Sequence, residues 1–156
     1  MKKSHKTILC PVDFSPASES VLQYFSDIRS VGAELIILHV ADPETGDRDS
    51  LMKEYLHTFS HYSDRLSLHH CRLRFAVEYG DPASAIIGYA CKNAIDLIVM
   101  GSHGSTGFTR LLVGSTTETV MRQAKCPVMV LKTPERHEDG ALTAPAGNAV
   151  SSNIND

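Results

Sequence analysis

At 156 residues the chain is the length of a single domain, and 42% hydrophobic residues are enough for a core of ordinary size. Its net charge of −3 resides in residues 134–156 and leaves the body neutral, which argues against nucleic acid as a partner, because phosphate backbones demand a basic face. The body also lacks a polybasic patch for a membrane surface, and no apolar run nears the roughly 18–20 residues of a transmembrane helix.

Met1 to Lys6 is polar and carries no long apolar segment, so no signal peptide is expected there. The four cysteines, Cys10, Cys71, Cys91 and Cys126, fit no C-x-x-C or zinc pattern. They read as reduced, mostly buried thiols of a cytoplasmic protein. Thr7 to Asp13 is a first strand, with Pro11 near its end limiting further ladder pairing. Ser15-Pro16 marks a helix start, Ser as N-cap and Pro at the first helical position. Val21, Leu22, Phe25 and Ile28 then share one helical face, and Gly32 closes the helix.

Glu34 to Val40 is almost continuously apolar, as a parallel strand covered on both faces should be. Beyond a polar loop, Asp49 to Leu68 carries the helical stripe Leu51, Tyr55, Phe59, Tyr62 and Leu66. Cys71 to Tyr79 alternates: Leu73, Phe75 and Val77 face one way, Arg72, Arg74 and Glu78 the other. Gly80 turns the chain, and Asp81-Pro82 again supplies a cap and a starting Pro for a helix with Ile86, Tyr89 and Ala90 inside. Leu97 to Met100 is a fourth strand, Thr116 to Ala124 a fourth helix and Pro127 to Leu131 a fifth strand. Four βα units and a closing strand predict an α/β sandwich on a parallel sheet. Residues 1–133 form the expected domain. Residues 134–156 are rich in Ala, Gly, Ser, Asn and Pro and read as a low-complexity, disordered tail.

The segment Asp96 to Thr117 organises the rest. An apolar strand empties into Gly101, Gly104, Gly107 and Gly114, and a helix begins beside the last of them. Glycines let backbone N–H groups approach an anion, and a helix start adds unpaired N–H groups and a positive dipole end. The spacing is neither a Walker A motif nor the G-x-G-x-x-G fingerprint.

Together with P-V-D-F-S at Pro11 to Ser15, L-H-V at Leu38 to Val40, G-D-P at Gly80 to Pro82, M-G-S-H-G at Met100 to Gly104, G-S-T at Gly114 to Thr116 and C-P-V at Cys126 to Val128, this loop resembles the universal stress protein family in its ATP-binding branch. The resemblance spans Thr7 to Lys132. It implies a three-layer α/β/α sandwich with a five-stranded parallel sheet in the order 3-2-1-4-5. It further implies that Pro11, Val12, Asp13 and Val40 line adenine and ribose, that Met100 and Gly101 sit near the ribose, and that Gly104, Gly114, Ser115 and Thr116 wrap the phosphates of ATP. Mg2+ or Mn2+ would be held mainly through those phosphates.

Each residue has a plainer reading beside this one. Asp13 is also a natural strand-end turn residue, and Gly107 reads as loop geometry. Ser115-Thr116-Thr117-Glu118 is a capping box in which Ser115 satisfies the helix N–H groups itself, against which the earlier glycines favour an anion. Arg110 balances phosphate charge or is a solvated loop cation. His103 belongs to the nucleotide-binding loop or is a lone loop histidine without an acid–base partner. His57 and His61 have the i,i+4 spacing of a metal pair, but they lack the glutamate of H-E-x-x-H and read as solvated surface. The apolar edge at Val128 to Leu131 predicts a homodimer, as the resemblance also implies. The expected function is a stress-response ATP-binding module or sensor, at most a weak ATPase, or else a dimeric interaction protein of the same fold with an empty pocket.

Overall fold

The computed structural model describes residues 6–28, 32–65, 72–102 and 113–132. Cys71 and the expected tail from Pro134 lie outside them. In chain order the elements are β1 (Thr7–Val12), α1 (Pro16–Ile28), β2 (Glu34–Ala41), α2 (Arg48–Arg65), β3 (Arg72–Tyr79), α3 (Pro82–Lys92), β4 (Leu97–Gly101), α4 (Ser115–Gln123) and β5 (Val128–Leu131). The five strands form one parallel sheet in the order β3-β2-β1-β4-β5.

Alternation along the strands divides the core into two layers. Ile8, Cys10 and Val12 of β1 join Val21, Leu22 and Phe25 of α1 and Phe59 and Tyr62 of α2 on one face. Leu9, Ile36 and Leu38 meet Ala83, Ile86 and Ala90 of α3 and Val120 of α4 on the other. Central strands buried on both faces must be apolar at consecutive positions, and Leu35 to Leu38 are all buried. The expected facing of Leu73, Phe75 and Val77 in β3 holds, for all three pack against the α1–α2 layer.

The helix starts follow the caps read in the sequence. Ser15 Oγ accepts the Ser18 N–H at 3.4 Å, and Asp81 accepts the Ser84 N–H at 3.0 Å ahead of Pro82. Gly80, with φ of +127°, adopts a backbone that side chains disfavour, and its N–H bonds to Ala41 O at 3.1 Å as β3 ends. At the amino ends of the strands, Asp96 Oδ2 accepts the Lys6 and Thr7 N–H groups at 3.0 and 2.9 Å, tying β4 to the start of β1.

Two sequence expectations need correction. The capping box at Ser115 does not form: Gly114 is the N-cap of α4, Ser115 already lies within the helix, and among the described residues no side chain caps this end. The thiols are not mostly buried: Cys10 is, but Cys91 is exposed near the end of α3 and Cys126 is half-buried. Burial pushes the Cys10 thiol up to about 12, so it stays protonated. Among the described residues no helix is long and apolar enough to cross a membrane.

Candidate functional site

The cleft begins where β1 and β4 part. Along β1 the backbone edges alternate: the Lys6 carbonyl accepts from Glu34 on the β2 side, and the Thr7 carbonyl accepts from Asp96 on the β4 side. By this period of two, the backbone edge of Pro11 faces β4, where it has no N–H to donate. Pairing with β2 runs on to Val12 opposite His39, whereas pairing with β4 ends at Leu9 opposite Ile98. The strand order also reverses at this junction, the usual place for ligands in open α/β sheets.

The parted strand ends open into a cleft of about 340 Å³, within the roughly 300–1,000 Å³ typical of small-molecule sites. Pro11, Val12, Asp13, Val40, Met100, Gly101, Gly114, Ser115 and Thr116, all singled out from the sequence, line it. His103, Gly104, Gly107 and Arg110 lie outside the described residues. Sequence reasoning missed Ser18, Pro82, Ile86 and Thr117, which also line the cleft. Pro82 was read as a helix start, and Ile86, one turn further on, as core. Nothing in the sequence alone gave their position relative to β4.

Asp13 is fixed by the start of α1. Its Oδ1 accepts the Ser15 N–H at 3.0 Å and the Ser18 hydroxyl at 2.8 Å, while Ser18 Oγ accepts the Asp13 N–H at 3.0 Å. Ser18 is buried, so this pair holds the carboxylate in place at the exposed mouth. Phe14 then takes a φ of +61°, and its ring lies 4.2 Å from that of His39 and 5.6 Å from that of Tyr55. His39 Nδ1 lies 3.0 Å from Val12 O on the flank of β1. Burial lowers the His39 imidazole below its ordinary value, opposed by the Val12 carbonyl and by the charge of Asp13.

The opposite wall is the tip of α4. Thr117, 4% exposed, donates its hydroxyl to Gly101 O at 2.9 Å and seats the helix start on the end of β4. The Gly114 N–H donates to Ser102 O at 2.7 Å, and the Ser102 N–H donates to Leu131 O at 2.9 Å. Gly114 itself has φ −59° and ψ 155°, a conformation open to any residue. Backbone strain therefore does not require glycine at this helix cap, where Ser or Asp would cap better. Glycine contributes no side chain of its own over this helix start.

Among the described lining residues Asp13 is the one ionisable side chain. Also among the described residues, no group of three or more His, Cys, Asp or Glu is placed to hold a metal ion. The arrangement suits an elongated ligand with an apolar body along Val40, Ile86 and Met100 and an anionic end at the α4 tip.

A parallel α/β sheet in this strand order, with a cleft at its switch point, defines a Rossmann-type domain. The chain belongs to the universal stress protein family, whose model matches residues 4–132. A universal stress protein of Methanocaldococcus jannaschii is 27% identical, over 85% of this chain and 98% of its own. The solved structure of that archaeal protein superposes with a TM-score of 0.75 at 28% identity, covering 86% of this chain and 100% of the other. Two more distant structures share the fold. A universal stress protein in complex with cAMP has a TM-score of 0.64 at 20% identity, over 83% and 98% of the two chains. A family protein from Arabidopsis thaliana with AMP bound has 0.60 at 18%, over 86% and 94%.

Proposed function

We propose that this universal stress protein is an ATP-binding module, with adenosine in the cleft between β1 and β4 and its phosphates at the tip of α4. The observation that carries this reading is Gly114: a helix cap with ordinary backbone angles and no side chain, facing a cleft at the switch point. Val12, Val40 and Met100 would hold the base and ribose. Ser115 and Thr116 would offer N–H groups and hydroxyls to phosphate, with Gly104, His103 and Arg110 completing the loop. The relatives solved with AMP and cAMP support an adenine nucleotide as the ligand class. Asp13 adds negative charge to the cleft, so a divalent cation such as Mg2+ or Mn2+ on the phosphates would balance the site without dedicated protein ligands.

Turnover is not what these groups favour. Among the described lining residues the one carboxylate, Asp13, is tied through Oδ1 to Ser15 and Ser18, and no second acid–base side chain stands with it. The reading is therefore a cytoplasmic stress sensor whose domain spans residues 1–133 and whose ATP hydrolysis is slow or absent. We further propose a homodimer joined through the outer edge of β5, the last strand of the sheet among the described residues, where Met129 is 38% exposed.

Calorimetric titration with Mg-ATP tests the site. Saturable binding is expected for the native chain, and Gly114→Val, which fits the backbone there, should fold normally and lose it. No heat and no thermal shift in the native chain would instead identify an interaction protein with an unused cleft. Phosphate release faster than roughly 1 per second would make it an enzyme.

A further inference from the structure

We propose that His57 and His61, on the outer face of α2, form a two-imidazole site for a divalent transition metal ion. Both rings are exposed, on the face away from the buried Phe59 and Tyr62. Residues four apart on a helix face each other across one turn, and here the ring centroids are 4.8 Å apart with the planes at 74°. That separation is compatible with two rings on one metal ion. A metal–nitrogen bond of roughly 2.0–2.1 Å, plus about 1.1 Å from nitrogen to ring centre, puts a metal about 3.2 Å from each centroid. Two adjacent ligands at about 90–110° then hold their centroids about 4.5–5.2 Å apart. The centroid spacing stands within that window, so shared coordination needs only the ring nitrogens turned toward a common point.

The chemistry of the donors sets the ion. Neutral imidazole suits Ni2+, Cu2+ and Zn2+, and rejects Mg2+ and Ca2+, which want oxygen. The remaining positions on the metal open to solvent and take water. This site lies on a different element from the cleft and is independent of the nucleotide reading.

Ni2+ is the probe of choice, because Cu2+ would be reduced by the exposed Cys91 thiol. The full chain, stripped with EDTA, is titrated with NiCl2 by calorimetry, and with MgCl2 as control. The expected result is one saturable Ni2+ per chain at this site, no response to Mg2+, and a melting temperature that rises with Ni2+ concentration. His57→Ala and His61→Ala should each fold as the native chain does in EDTA. Each should weaken Ni2+ binding by at least the roughly tenfold that loss of a mere outer-shell partner costs. A His69→Ala/His70→Ala variant should keep it. Binding unchanged in both single variants, or no saturable binding in the native chain, would overturn the proposal.

Discussion

Pairing of β1 with β4 ends at Leu9, and Pro11, the next residue whose backbone edge faces β4, has no hydrogen to offer it. Asp13, Gly101 and Gly114 were legible in the sequence because each interrupts an apolar pattern. Ser18 and Thr117 were not, because a serine or threonine in the first turn of a helix reads as solvated until packing sets the rotation of that helix. The next residue of consequence is His39, half-buried against Phe14 and Tyr55. Burial favours its neutral ring, so the folded imidazole titrates below the unfolded one. As pH falls, the unfolded chain takes up this proton first. The contribution of His39 is thus fully present above the unfolded value near 6.5 and is lost as pH drops toward the folded one. His39→Gln should flatten the fall in melting temperature between pH 7 and pH 5. An equally steep fall in the variant would assign the pH dependence to other groups.

Among the elements, α2 is the one fastened by rings. Phe59 stacks on Phe75 of β3 at 4.4 Å, and Tyr55 stacks on Phe14 at 5.6 Å. Phe59 is 2% exposed, so Phe59→Ala should cost about 3–5 kcal/mol in urea unfolding. Leu56, 57% exposed on the same helix, should change stability by less than about 0.5 kcal/mol when made Ala. The stripe Tyr55, Phe59 and Tyr62 made this face readable in advance. What the stripe did not reveal is that the Tyr62 hydroxyl is buried without a hydrogen-bond partner among the described residues, or that burial pushes it up to about 12. At the other edge, β5 is the last strand of the sheet among the described residues. If it joins two copies, Val130→Asp should give a monomer by light scattering while circular dichroism stays native. A native molecular mass that is already monomeric would sink the pairing.

For the molecule as a whole, the periodicities predicted nine elements in the right order, with ends that differ by only a residue or two where they are described. They did not determine which strands are neighbours. β1 lies beside β4 across a sequence separation of 90 residues, held by contacts such as Lys6 N–H to Asp96. Local pattern carries no record of such a contact, and only resemblance to a family implied it. The bare tip of α4 was likewise hidden, since Ser115 looked like its own cap. One residue now joins the proposed nucleotide site to the proposed β5 dimer. Ser102 reaches β5 through its N–H and the rim of the cleft through its carbonyl. Linkage is symmetrical by thermodynamic necessity. If a filled cleft tightens the association of two copies through this residue by some factor, association must tighten the nucleotide by that same factor. Apparent nucleotide affinity would then drift with protein concentration, and a dilution series could weigh both events at once.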